Sequence, residues 1–274
     1  NGILTRASEA KIKTAIGNIK ENLSLEQNER VIDNKEDLSP EVLLSEKKVK
    51  RILQLKEDGN YYMYYIIKNE AYDGMQGLGN GTPSTLKDVF LIDDELNVKY
   101  IDKTGKEYGE DIEEKILEDE TKIRFASKEF SEYVSKISGA TEEEMKFGWM
   151  KNQTSLTIED AEVDSLEDLV FFPNLERLTL GKNSSNAPNI TTMEGVENCA
   201  KLNYLTINYG PDKDYSAVSA LGNLTSFTRI YGGDYENIIN ALKECKALKS
   251  FWVSNQNKVD MSKIVELDNL TSLT

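Results

Sequence analysis

From residue 153 onward, apolar residues return in the pattern apolar-x-x-apolar-x-apolar, and five starts of that pattern line up. They read Gln153-Leu156-Ile158, Leu175-Leu178-Leu180, Leu202-Leu205-Ile207, Leu224-Phe227-Arg229 and Leu248-Phe251-Val253, with a sixth opening at Leu270 and Leu273. Successive starts are 22, 27, 22, 24 and 22 residues apart. The alternation inside each start predicts a short strand buried on one face. The register persists outside the strands. Three residues before the starts stand Met150, Phe172, Cys199, Leu221, Cys245 and Leu267. Six before the last five stand Leu169, Val196, Val218, Leu242 and Ile264, and nine before them Leu166, Met193, Tyr215, Ile239 and Met261. All sixteen positions are apolar or aromatic in a chain that is 39% hydrophobic, which establishes the period.

A period in the low twenties with this leucine pattern is that of leucine-rich repeats. Each repeat predicts one coil of an α/β solenoid, a strand on one side and a turn or short helix on the other. One coil cannot bury its inward residues alone, so stacking turns each column into a continuous core. Arg229 breaks the pattern at an inward strand position. The Gly232-Gly233 pair that follows permits unusual backbone angles, so Ile230 is expected to take the inward place through a local irregularity. The alternative is an arginine reaching out past its aliphatic stem.

The first part of the chain carries other periods. Ile12, Ile16, Ile19 and Leu23, with Ala7, Ala10 and Ala15 beside them, predict an amphipathic helix over about residues 1–27. Residues 28–38 are polar and expected as a loop. Ser39-Pro40 has the look of an N-cap and first helical position, opening a helix through Val42, Val49, Ile52 and Leu53. Tyr61–Lys68 predicts one strand, and Val89–Ile92 and Val98–Ile101 a pair across an Asp93–Asn97 turn, with another turn at Asp102–Gly105. Residues 110–120 are acidic and expected as a linker. Phe130, Val134 and Ile137 mark one helix face, and Thr141-Glu-Glu-Glu144 is a capping box for a second short helix through Met145 and Trp149.

Two resemblances follow. The opening Asn1-Gly-Ile-Leu-Thr-Arg-Ala7, continuing Ser8-Glu-Ala-Lys11, resembles the segment after the apolar N-terminal helix of type IV pilin-like proteins of Gram-positive bacteria. The later Val89–Gly109 stretch resembles the strand pair near the end of such pilin domains. In that family a prepilin leader and an apolar helix precede this segment, so the sequence is expected to begin after them. The helical pair followed by Gln153-x-x-Leu156-x-Ile158 resembles the N-terminal cap of internalin-type repeat proteins. Together they imply an α+β pilin-like domain, a long N-terminal helix plus a small antiparallel sheet, at 1–112. A linker and helical N-terminal cap at 113–152 would lead into the α/β leucine-rich repeat solenoid at 153–274. They also imply a surface protein whose pilin-like module displays the repeats, with other pilin subunits as partners through the N-terminal helix. Any membrane contact would be through an apolar helix preceding Asn1. A membrane-tethered protein that does not polymerise is the alternative.

Composition narrows the chemistry. With 33 Lys and Arg against 48 Asp and Glu, the net charge of −15 argues against nucleic acid as a partner. There is no histidine, hence neither the usual general base nor the commonest metal ligand. Cys199 and Cys245 share one repeat column two coils apart, about 10 Å by strand spacing. That is too far for a disulfide, so both are expected as buried free thiols. The glycine-rich stretch Gly74–Gly81 lacks dinucleotide and phosphate-loop spacings and is expected as a flexible loop. Asp160-x-Glu162-x-Asp164 opens like a calcium loop, but Ser165 and Phe171 stand where glycine and the last acid belong. Carboxylate pairs such as Glu113-Glu114 and Glu142-Glu143 read as solvated surface, leaving hydrolysis a remote alternative. No catalytic, cofactor or metal residue is expected.

The outward strand positions are more informative. One row holds Thr157, Thr179, Thr206, Thr228 and Trp252, and its neighbour Ser155, Arg177, Tyr204, Ser226 and Ser250. Hydroxyls with an occasional Tyr, Trp and Arg suit recognition, although a threonine row also simply suits strands. Arg177, Thr179, Tyr204, Thr206 and Trp252 are the expected ligand-binding residues, on the concave face, for an extracellular protein or glycan. The longer repeat at Gly181–Ile190 is expected to wall one end of that face.

Overall fold

The computed structural model describes the backbone of residues 2–254 and 261–274, and their side chains except those at 2–5, 7, 84 and 261. Most side chains of the opening Asn1–Ala7 segment, and that of Met261, thus lie outside the described residues. The chain divides into two units, Asn1–Leu117 and Glu118–Thr274.

In the first unit, helix α1 (Gly2–Ile32) buries Ile12, Ala15, Ile16, Ile19 and Leu23 and turns most of its charged residues to solvent, Glu26 and Arg30 being partly covered. It runs past the expected end at Gln27 and stops only at Asn34, whose left-handed conformation (φ 52°) ends the backbone ladder. The polar stretch expected as a loop is therefore partly helix. Ser39 does cap a helix, its hydroxyl accepting from Val42 N at 3.2 Å, with Pro40 at the first position. That helix, α2 (Pro40–Ser45), is short. Lys47 turns left-handed (φ 60°), and Val49–Leu55 becomes strand β1 instead of continuing the helix.

The reason is β2 (Tyr61–Ile67), which pairs with β1 residue for residue from Val49↔Ile67 to Leu55↔Tyr61. A helical apolar spacing at Val49, Ile52 and Leu53 yields to a seven-residue antiparallel ladder with β-branched and aromatic partners. The far edge of β2 is shared. β3 (Val89–Ile92) takes the Tyr65 end and β6 (Lys115–Leu117) the Tyr61 end. Residues 110–120 are thus not simply a linker, because they supply this strand. β4 (Val98–Ile101) and β5 (Glu107–Gly109) complete the antiparallel sheet in the order β1-β2-β3-β4-β5. One face packs Ile52, Tyr62, Tyr64, Ile66, Val89 and Leu91 together. α1 lies beside β4 and β5, where a Cβ on Gly109 would stand 3.2 Å from Ile16 and 2.5 Å from the Val98 carbonyl.

The second unit opens with α3 (Lys128–Ser138), which buries Phe130, Tyr133 and Val134 while Ile137 is exposed, so its buried face is rotated from the expected one. Buried Asp168 accepts hydrogen bonds from Ala126 N and Ser127 N just before the helix. The Thr141–Glu144 capping box forms on a 3-10 turn, and α4 (Phe147–Lys151) follows separately. Tyr133 donates to the Thr157 carbonyl, and Phe130 meets Phe172 edge to face, so α3 packs against the first repeat.

Six parallel strands follow: β7 (Ser155–Ile158), β8 (Arg177–Leu180), β9 (Tyr204–Ile207), β10 (Ser226–Ile230), β11 (Ser250–Ser254) and β12 (Ser272–Leu273). They pair in sequence order without a slip, so Leu156, Leu178, Leu205, Phe227, Phe251 and Leu273 stand opposite one another. The columns before the strands are buried at every described position except half-buried Ile264. Asparagines add a ladder of their own. Asn174 donates to the carbonyl of Lys151 at the end of α4, and Asn223 and Asn269 to those of Ala200 and Lys246 on the preceding coils.

Arg229 corrects the expectation made for it. It keeps register, opposite Ile207 and Val253, points inward and is 1% exposed, while Ile230 stays half-buried on the other face. Its guanidinium donates to the carbonyls of Gly232, Tyr209 and Gly210 at 2.9, 3.3 and 3.2 Å. Turn carbonyls compensate the buried charge. Gly233 beside it holds φ +130°, which a side chain rarely adopts, and a Cβ there would stand 3.2 Å from Ile238.

Candidate binding face

Outward residues alternate with the buried columns along β7–β11. Threonines 157, 179, 206 and 228 stand opposite one another on four successive strands, and Trp252 continues the row on the fifth. Among the described residues none of these four hydroxyls hydrogen-bonds within the chain. In the neighbouring row Arg177 is paired across the strands with Tyr204, and its guanidinium carbon lies 3.8 Å from the centre of the Tyr204 ring. A cation over an aromatic face is held by the ring quadrupole, which leaves the planar fork of N–H donors free. The Arg177 guanidinium has no ion-pair or hydrogen-bond partner among the described residues.

The structure brings Arg177 and Tyr204 together and sets Thr179 beside Thr206, while Trp252 stands two strands from Tyr204. Tyr204 is 39% and Trp252 38% exposed.

Sequence reading missed a second aromatic pair. Tyr209 and Tyr231 stack at 4.6 Å with rings 14° apart, just beyond the ends of β9 and β10. They sit at the same repeat offset on adjacent coils, which is the signal that could have found them. Four residues after Tyr209 stands Lys213, buried, donating from Nζ to the carbonyls of Ile190 and Pro211 at 2.6 and 2.9 Å. Burial, and then the nearby positive charge of Arg229, push its pKa down to about 8. The lengthened repeat at 181–190 is tied down through this lysine and through Asn208, which donates to the Gly181 carbonyl.

Cys199 and Cys245 are free and buried, each thiol directed at a carbonyl of the coil before it, Leu169 O and Val218 O. Burial raises both pKa values, that of Cys245 to about 11. The glycine-rich loop spends its N–H groups internally. Gly79 N donates to the Asp88 carboxylate and Gly81 N to the Asp88 carbonyl, and Met75 is fully buried. The loop is thus hydrogen-bonded to Asp88 and anchored by Met75. At the calcium-like motif Val163 and Leu166 are buried, and Asp160 accepts from Glu162 N as part of a turn. Among the described residues no group of three or more acidic, Cys or His side chains could hold a metal, and no helix is long and apolar enough to cross a membrane.

No family model and no curated protein matches the chain. Among solved structures it is similar to an internalin (inlF) from Listeria monocytogenes str. 4b F2365 over 54% of this chain and 49% of that one, at 21% identity and a TM-score of 0.42. It is also similar to an internalin C2 (inlC2) from the same strain over 47% and 53% of the two chains, at 23% identity and a TM-score of 0.35. The regions matched span about half of each solved structure, 49% and 53%. What makes this chain a leucine-rich repeat solenoid is its own strand register and buried columns.

Proposed function

We propose that this chain is a non-enzymatic recognition protein of the cell surface, binding an extracellular protein or glycan on the outer face of its repeat sheet. One observation carries the reading. Over five strands the outward side chains, apart from half-buried Ile230, are aromatics, an arginine and hydroxyls without internal partners among the described residues, whereas the inward ones are packed, with only Val253 half-buried. Solenoids of this kind bind along the strand side, where curvature presents successive coils to one partner. Tyr and Trp contribute large contact area at low entropic cost.

The first unit reads as a pilin-like module, with α1 continuing the segment through which such subunits pack. The support is the resemblance of Asn1–Lys11 and of Val89–Gly109. The reading frame upstream of Asn1 tests it: a prepilin leader and an apolar helix agree, and an ordinary signal peptide or another soluble domain contradicts it.

For the binding face, the experiment is a cell-binding and glycan-array comparison of the whole chain with Tyr204→Ala and Trp252→Ala. Each substitution is expected to weaken binding by about 1–3 kcal/mol. Normal binding by both variants would remove the outer face from the account.

A further inference from the structure

Resting on the reading of the outer sheet face as the binding surface, we propose that its ligand is a short oligosaccharide bearing a carboxylate. It would lie across the strands, with its acid on Arg177 and a sugar ring on Trp252.

The charge pattern comes first. The chain has 48 acidic residues, yet the outward positions of β7–β11 contain none, and their one charge is Arg177. That guanidinium is held flat by the Tyr204 ring at 3.8 Å and has no acceptor of its own among the described residues. A ligand that covered it without supplying an acceptor would strand a desolvated cation. The planar fork of donors matches a carboxylate in two-point fashion. Elsewhere the net charge of −15 would repel a polyanion, but charges beyond about 8 Å are screened at physiological salt. The face therefore suits a ligand with one or two acids near one end.

The remaining chemistry favours sugar over protein. Protein interfaces are built around a buried apolar cluster, whereas this face offers a row of uncommitted threonine hydroxyls. They recur at the strand spacing, about 4.8 Å, close to the length that one pyranose unit adds to an extended chain. Each unit of a polyhydroxylated ligand would thus find one hydroxyl partner. Three strand spacings, about 14 Å, separate β8 from β11, where the exposed Trp252 ring offers a flat apolar surface to the C–H face of a sugar. An occupant of about four units spans the two anchors.

The test uses the whole chain on an array of uronate- and sialate-bearing oligosaccharides, each printed beside its carboxyl methyl ester, with acidic peptides as a further arm. At least one acid is expected to bind about tenfold or more above its ester, the effect of a charge-assisted contact. Arg177→Gln should bring that acid down to the level of the ester and leave the ester unchanged. Trp252→Ala should weaken both. Unfolding midpoints of the variants, measured in parallel, show whether either fails to fold, and Thr206→Val offers an independent loss on the hydroxyl row. Equal binding of acids and esters, binding of peptides alone, or no oligosaccharide binding overturns the proposal. If neutral sugars or peptides bind and Tyr204→Ala abolishes that binding, the outer face survives and only the ligand class falls. Ligands that bind all variants equally remove both.

Discussion

Leu178 and Thr179 are neighbours on one strand, pair with the same two strands, and do opposite work. Leu178 is 1% exposed, one element of a column that runs from Leu156 to Phe251, whereas half-buried Thr179 faces outward and its hydroxyl has no internal partner. The inward side of the sheet is where the chain gains stability, and the outward side is where it keeps hydrogen-bonding capacity in reserve. Because the two alternate every residue, a substitution on one side leaves the other almost untouched. Repeats can then vary their outward residues without repacking the core.

Breaking the inward side should have the largest effect. Leu178→Ala or Leu205→Ala removes buried methyl groups from a column that cannot collapse around the gap, at a cost of about 2–5 kcal/mol in denaturant unfolding. Arg229→Met comes next, at about 1–3 kcal/mol. A methionine fills the inward position but leaves the carbonyls of Tyr209, Gly210 and Gly232 without their donor. Stability equal to the parent would mean that the guanidinium contributes only volume.

Lys213 sharpens the same point through pH. Its folded pKa of about 8 lies below the ordinary lysine value of 10.5, so between those values the unfolded chain holds more protons. Stability from this group is therefore smallest below pH 8 and rises with pH toward 10. A neutral amine keeps two N–H donors for the carbonyls of Ile190 and Pro211. Measured against Lys213→Met, the parent should gain about 1–3 kcal/mol between pH 7 and 10. A flat or falling difference would place the ammonium in contact with water. The smallest effect is kinetic: both thiols should label slowly until denaturant is added, and a non-reducing mass showing one internal bridge would contradict the column assignment.

The repeat unit was legible because each coil buries the same offsets, so leucine spacing alone placed β7 to β12 and the outward row. Arg229 was misread for the complementary reason. Two of the three carbonyls that compensate it, those of Tyr209 and Gly210, belong to a turn about twenty residues earlier, which no local pattern displays. The first unit was harder to read. The helical spacing at Val49–Leu53 is a real local signal, overruled by a partner strand whose ladder exists only in the folded sheet. β6 was hidden likewise, since Lys115–Leu117 is a strand only by virtue of the edge left free on β2. At the binding face Arg177 and Tyr204 could be named from their offsets. Their stacking follows from register and side-chain length, information the sequence carries once the coils are aligned.

The separation of the two sides is tested most directly at another adjacent pair, Tyr204 and Leu205, by denaturant unfolding of Tyr204→Ala and Leu205→Ala beside the parent. Tyr204→Ala should lie within about 0.5 kcal/mol of the parent, although it is the substitution expected to weaken binding. Leu205→Ala should lose about 2–5 kcal/mol. Equal losses at the two positions would mean that the outer face is part of the fold's support, and the division of labour along each strand would be wrong.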